Sequence, residues 1–473
     1  MTMVRYIAVS VGFGLVVGWF VAQPALAPQH IEALMAQLGH ESATQREQAS
    51  TELAQTGLPA MEALRQAAAE ACMLWKVELP GGRLLKWNTP VVLTDDLAIF
   101  HGSDRKIHAL SRADGTMKWE VETGCAISHM VLLGDKLISL GSFLSKVGPM
   151  ALDPGTGKVL WRSENIYYNL HVMDTALVGI EYDGTGGEQL LVGLSPEDGT
   201  AMWTAKVAEF VGGSPIARCY ISLSSAGVGL INIWHGKEEK SLSGVLVAVH
   251  LATGKKMWEL RGVNTVHFIR DGRVYMHWKE EDRIAIARTL RVFDLKTGQE
   301  QKTRLEFDSE GYPQMMGDYL LENRAYSAAL TAYDVTSGKR VWRYTPRDGG
   351  EVLAARPGLR YASIGIRLPV AMHDGAVLLI VNDGLLAVDL TTGKPRWKYS
   401  MECTNIFGLR VRDGVAYFMD DGYPIVDRRI IHGTKGDLLP GNPRSRYLYA
   451  LDLAKASQFG VPPEYEAAEP SEK

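Results

Sequence analysis

Ala151-Leu152-Asp153-Pro154-Gly155-Thr156-Gly157-Lys158-Val159-Leu160-Trp161 is one of seven copies of a single signature in this chain. The others run Ala109–Trp119, Gly193–Trp203, Ala248–Trp258, Val292–Lys302, Ala332–Trp342 and Ala387–Trp397. Ser111 replaces Asp in the first, and Lys302 replaces Trp in the fifth. The Asp position always precedes the Trp position by eight residues, whereas the next Asp position follows after 32 to 55. A rigid short unit separated by variable spacers, at a period of roughly 40 to 55 residues, marks a solenoid or a propeller. A second marker separates the two. Between apolar runs, each spacer has a Gly/Asp turn, as at Gly134-Asp135, Asp271-Gly272, Gly317-Asp318, Asp374-Gly375 and Asp413-Gly414. Such dipeptides take φ > 0 and reverse a strand. Each unit is therefore four short strands, and four antiparallel strands arranged radially make a propeller blade.

An eighth copy, Ala450-Leu451-Asp452, stops before its Gly and Trp. The missing Trp strand stands far upstream, at Met73-Leu74-Trp75-Lys76-Val77. The two fragments read as halves of one blade, which predicts an all-β ring of eight blades closed by both ends of the chain. In the repeat, Gly157 permits a left-handed turn and Asp153 accepts hydrogen bonds from that turn. The Trp packs a large ring on the next blade and offers its indole N–H. That structural docking role is expected at Trp75, Trp119, Trp161, Trp203, Trp258, Trp342 and Trp397.

These repeats resemble the PQQ-like β-propeller repeat with its Trp-docking motif, over residues 73–460. The resemblance implies either of two activities. One is that of pyrroloquinoline-quinone (PQQ)-dependent alcohol dehydrogenases. The other is that of non-catalytic envelope proteins such as the barrel-assembly lipoprotein BamB. The dehydrogenase reading implies adjacent cysteines over the quinone, a calcium site of Glu, Asn and Asp, and a catalytic Asp. Cys72, Cys125, Cys219 and Cys403 are far apart, and no local segment matches the calcium ligands or the Asp. Haem attachment needs C-x-x-C-H, and Cys125…His129 has Ser128 where the second cysteine is required. No catalytic, cofactor or metal residue is therefore assigned, and PQQ with calcium is kept as the alternative cofactor. Cys125 and Cys403 each follow a docking Trp by six residues. They are read as small buried thiols, with a redox or metal role as the alternative. His101 and His108 bracket one loop and His277 adjoins Trp278; these are read as surface residues or hydrogen-bonded structural ones.

The chain has 473 residues, 50 Lys and Arg against 54 Asp and Glu, and a net charge of −4. No bias points to nucleic acid or to an anionic membrane. Arg5 precedes an apolar run from Tyr6 to Ala22, and Ala25-Leu26-Ala27 is an A-x-A site. Pro28 disfavours a cut there, and the run is at the short end of a membrane span. Residues 1–27 are thus a cleaved signal or a retained anchor, and either reading puts the propeller in the periplasm or envelope. No cysteine follows the run, so lipidation is not expected. Residues 28–72 read as a HEAT-like helical hairpin, with a capping box at Thr44-x-x-Glu47, a stop at Gly57, and Leu53, Leu58, Met61 and Leu64 as its stripe. It is a spacer on the propeller or a docking element. Residues 461–473 read as a disordered tail.

Topology puts the short Asp-Gly and Thr-Gly turns on one face of the ring and the variable loops on the other. Variable loops on a rigid scaffold are where binding concentrates. The insertion from Thr345 to Ser363 carries Arg347, Arg356 and Arg360. The insertion from Asp421 to Arg446 carries Arg428, Arg429, Lys435, Arg444 and Arg446. These are two solvated loops, or one basic sector for an acidic partner surface, with Phe143 and Trp234 as apolar anchors. The function expected is an exported, non-catalytic scaffold with an envelope protein partner. Alternatives are a quinoprotein-type oxidoreductase, or small-ligand or polysaccharide binding at the channel mouth.

Overall fold

A computed structural model describes residues 28–37, 42–56, 67, 70–79, 91–102, 104–124, 129–141, 147–182, 188–236, 243–279, 289–306, 314–323, 330–344, 371–381, 384–400, 406–420 and 447–459. Its strands form eight antiparallel sheets of four. Seven are consecutive in sequence and begin at Val92, Met130, Tyr168, Ile216, Val263, Gln314 and Ala371, giving blades 1 to 7. Blade 8 takes Ile406–Arg412, Val415–Asp420 and Tyr447–Asp452, and its outermost strand is Met73–Glu78. In that pairing Trp75 lies opposite Ala450 and Val77 opposite Leu448. Lys76 adds a cation–π contact, its Nζ 3.9 Å from the Tyr447 ring centre.

The docking residues act as their chemistry dictates. Six indoles donate to a turn carbonyl of the next blade, always the residue after the Asp position: Trp75 to Arg112, Trp119 to Pro154, Trp161 to Pro196, Trp203 to Leu251, Trp258 to Leu295 and Trp342 to Leu390. The distances run from 2.6 to 3.1 Å. Glycine is needed in these turns for two reasons. Gly157 has φ 72°, and a Cβ there would sit 2.6 Å from Trp119 Cε3. Asp153 Oδ1 accepts from Thr156 N and Oγ1, both at 2.7 Å. Where Ser stands at the Asp position, Asp114 and Asp198, three residues on, hold Thr116 and Thr200 instead.

Two seams differ. Lys302 is exposed and supplies no ring between blades 5 and 6; there Arg270 of blade 5 donates to Gly317 O and pairs with Asp318 of blade 6. Between blades 7 and 8 a short helix replaces the Thr-Gly turn. It covers Leu453–Phe459, and Trp397 packs in one cluster with its Leu453 and Ala456. The core is split into inter-blade layers, each shared by neighbouring sheets, such as Val178, Ile180, Ile231 and Val247 between blades 3 and 4.

Upstream lie α1 (Pro28–Gln37) and α2 (Ala43–Thr56), packed through Ile31, Leu34, Ala49 and Leu53. α2 begins at Ala43, so Thr44 falls inside the helix rather than at its cap, and Arg46 N donates to Ser42 O, one turn back. The serine two residues earlier starts the first turn. Gly57, the expected stop, lies outside the described residues. Leu58, Met61, Leu64, residues 1–27 and residues 461–473 lie outside the described residues. Among those described, no helix is long and apolar enough to cross a membrane.

Candidate functional site

The antiparallel order fixes the two faces. Turns between first and second strands, and between third and fourth, lie together. Seven of the eight first-to-second-strand turns carry Asp, at Asp95, Asp135, Asp174, Asp271, Asp318, Asp374 and Asp413. Several tie blades together. Arg112 of blade 1 donates to Asp413 at 2.8 Å and to the Tyr417 hydroxyl at 3.1 Å, both in blade 8, and Arg412 of blade 8 pairs with Asp95 of blade 1. Lys136 of blade 2 reaches Glu197 of blade 3 at 2.8 Å, and Asp174 of blade 3 accepts from Gly227 N of blade 4. This face works as a clasp.

The opposite, loop face is where the sequence places binding. Arg347, Arg356, Arg360, Arg428, Arg429, Lys435, Arg444, Arg446 and Phe143 lie outside the described residues, as do Cys125 and Cys403. Trp234 is described: it is half-buried at the loop end of the second strand of blade 4, paired with Arg218 and Gly244. It belongs to the sheet rather than to a loop.

The best-defined loop on this face is that of blade 1. His108 is fully buried and stacked on Phe100, with ring centres 5.3 Å apart. Its Nε2 meets Asp104 Oδ2 at 2.9 Å, and its Nδ1 lies 3.7 Å from Glu120 Oε2. A carboxylate facing Nε2 requires a proton on that nitrogen, which fixes the ring's orientation. His101 Nε2 meets Thr123 Oγ1 at 3.1 Å, and Thr123 donates onward to Arg105 O. Both histidines thus hold the loop 102–105 and the blade exit, in keeping with a structural role. His277, partly buried in blade 5, has its pKa lowered by burial.

Among the described residues no three His, Cys, Asp or Glu side chains converge as a metal site. Cys72 and Cys219 are free and buried, Cys72 just before the outermost strand of blade 8 and Cys219 in the first strand of blade 4. Burial pushes their thiols up to about 11 and about 12, so they are inert rather than redox-active.

Closed by its own first strand and docked by indoles, the ring is an eight-bladed propeller of PQQ-like repeats. A family model described as outer membrane protein assembly factor BamB matches residues 66–304 and 327–439, and the chain belongs to that family. Among solved structures it is similar to BamB from Moraxella catarrhalis, at 13% identity and TM-score 0.48, covering 80% of this chain and 99% of that one. It is also similar to the quinohemoprotein alcohol dehydrogenase of Comamonas testosteroni, at 12% identity and TM-score 0.48, covering 85% and 79%. A computationally designed protein, Ika8, matches at 11% identity and TM-score 0.48, covering 78% and 98%. No curated protein matches the chain.

Proposed function

We propose that this protein is an exported, non-catalytic scaffold of the cell envelope that presents its loop face to another envelope protein. The observation that carries this reading is the family match, which covers most of the propeller and is described by an assembly role. The face asymmetry supports it. One face is consumed by inter-blade clasps, while all the variable length is on the other. Residues 1–27 direct export, and the basic insertions of blades 6–7 and 8 dock an acidic partner surface through bidentate arginines.

The test is cross-linked capture from envelope extract with the wild type and an Arg428→Glu/Arg429→Glu variant. The expected result is loss of the same partner set in the variant, greater weakening at high salt, and an unchanged melting temperature, since exposed charges contribute little to folding. Identical partners at the same salt concentration would overturn the basic-sector reading. Stoichiometric binding of PQQ with calcium, accompanied by dye-linked alcohol oxidation, would overturn the non-catalytic one.

A further inference from the structure

Charge in this ring is sorted by strand position. The whole chain has 50 Lys and Arg against 54 Asp and Glu. Its eight outermost strands are Met73–Glu78, Met117–Glu122, Val159–Arg162, Ala201–Lys206, Lys256–Arg261, Glu300–Glu306, Arg340–Tyr344 and Pro395–Ser400. They carry twelve bases and only six acids. The exposed apolar side chains are sorted too. Of nine large hydrophobics exposed among the described residues, seven are on these strands, one or two residues before the repeat's Trp. Five of the seven belong to four consecutive blades, 1 to 4: Met117, Val159, Leu160, Met202 and Met257, each between 38 and 47% exposed.

Register puts the five at one height of the rim. In those blades Trp119 lies opposite Ala109, Trp161 opposite Ala151, Trp203 opposite Gly193 and Trp258 opposite Ala248. The four indoles are only half-buried, whereas Trp75, Trp342 and Trp397 are buried. Blades 1 to 4 therefore leave rings and aliphatic side chains to solvent along one arc. Gln301 and Arg396 take the matching place in blades 5 and 7 and interrupt it. Single exposed hydrophobics need no explanation, but a band of them rimmed by polar groups marks an interaction surface. Interleaved on the arc are Lys118, Lys158, Arg162, Lys206 and Arg261, all exposed. Of the arc's three strand acids, Glu259 is held by Lys256 and Arg261, and Glu120 by Lys106. In the adjoining turns Asp114, Asp153 and Asp198 are bonded to their own Thr residues, and Glu197 to Lys136.

We infer that this arc of the rim docks on an anionic phospholipid surface. The Met and Leu side chains and the indole edges enter the interfacial layer, and the Lys and Arg heads meet lipid phosphates. Interfacial binding of this kind adds buried apolar area to the attraction of bases for anionic lipid, and amphipathic indoles settle at headgroup depth. Unbranched Met and the long stems of Lys and Arg adapt to a fluid surface. The outermost strands are sheet edges, and bases on an edge oppose pairing with another chain, which argues against a second copy in this place. The chain also enters the ring beside the arc, because Met73–Glu78 is the outermost strand of blade 8, which is clasped to blade 1. The rim is separate from the loop face, so failure here leaves the scaffold reading standing.

The experiment is hydrogen exchange of the whole protein with vesicles of phosphatidylethanolamine and phosphatidylglycerol, and separately with vesicles of phosphatidylcholine alone. A site-resolved readout separates the rim from any hold that residues 1–27 have on a vesicle. The anionic vesicles should protect the outermost strands of at least two adjacent blades among blades 1 to 4. They should leave Arg340–Tyr344 and Pro395–Ser400 unprotected, and salt should weaken the effect. Protection should be lost in Leu160→Glu/Met202→Glu, both at exposed positions. The wild-type pattern decides by itself if that variant fails to fold. No protection of the arc by anionic vesicles, equal protection by phosphatidylcholine, or protection retained in the folded variant would overturn the inference. So would protection that appears without vesicles as protein concentration rises, which would assign the arc to a second copy of the chain.

Discussion

Trp342 and Trp161 occupy the same position of the repeat but not the same environment. Trp342 is 7% exposed and donates to Leu390 O at 2.7 Å, whereas Trp161 is half-buried, with its indole 2.9 Å from Pro196 O. Truncating a buried aromatic costs roughly 3–5 kcal/mol, so Trp342→Ala should lose about that much and Trp161→Ala clearly less. Denaturant unfolding of the two variants checks the order, and equal losses would mean the indoles are energetically interchangeable. The docking tryptophans were legible because a ring of that size recurs at one fixed offset from a turn glycine. Asp114 and Asp198, which stand in for the missing Asp, were not, because their displacement by three residues breaks the register that made the repeat visible. The arginines of the clasp were missed for a related reason: Arg112 and Asp413 meet only when the ring closes.

The blade is the unit of stability, and the seam between blades 5 and 6 is the exception that tests it. Opposite each docking Trp the neighbouring strand carries Ala or Gly, as in Ala109 with Trp119, Gly193 with Trp203 and Ala332 with Trp342. A Cβ on Gly193 would lie 2.1 Å from Trp203 Cε2, so the ring leaves little room. In blade 5 the aligned residues are Val292 and Lys302, and Val292 is buried with Val335 of blade 6. The larger aliphatic side chain takes up space the ring leaves. Lys302→Trp alone should overpack the seam, and Val292→Ala alone should leave a cavity. Together they should be more stable than the sum of the single changes predicts, by about 1 kcal/mol or more of coupling. A thermal-melt double-mutant cycle measures this, and strict additivity would show that the two positions do not share the site. Sequence located this irregular blade correctly through Lys302. It did not foresee the helix Leu453–Phe459, because nothing in Leu-Ala-Lys-Ala-Ser-Gln-Phe belongs to the repeat.

At the scale of the whole ring, the clasp of Arg112 and Arg412 on blades 8 and 1 predicts where the molecule opens. Arg112→Ala removes hydrogen bonds to Asp413, Tyr417 and the Thr94 carbonyl. Bonds to charged groups contribute roughly 1.5–3 kcal/mol each. Amide exchange in Met73–Glu78 should therefore accelerate more than in the strands of blades 3 and 4; uniform acceleration would mean the seam has no separate opening. Acid should act in two stages. His171 and His277 titrate below the usual 6.5 when folded, so the unfolded chain holds more protons, and their contribution is full above pH 6.5 and declines as pH falls through that value. The turn carboxylates move the same way on a lower scale. Asp153, Asp294 and Asp334 are lowered from 3.8 by bonds to Thr or Ser, and Asp114 falls to about 2 by bonds to Thr116, so that stability persists until pH drops below about 4. A stability profile flat from pH 7 to 4 would contradict the first stage. The loop-face arginines were legible as a charge pattern, but whether two insertions meet depends on loop conformations that no periodicity encodes.

The pairing of Met73–Glu78 with Tyr447–Asp452 has a consequence in time. Trp75 and Ala450 are 375 residues apart, so the first strand to be synthesised waits for the last before its sheet exists. Seven blades form from local hairpins as they emerge, but the circle becomes a circle only when the final strand arrives. A chain cut short anywhere before Tyr447 would therefore leave an unmatched outer strand at its beginning, a marker of incompleteness at the end of the polypeptide made first.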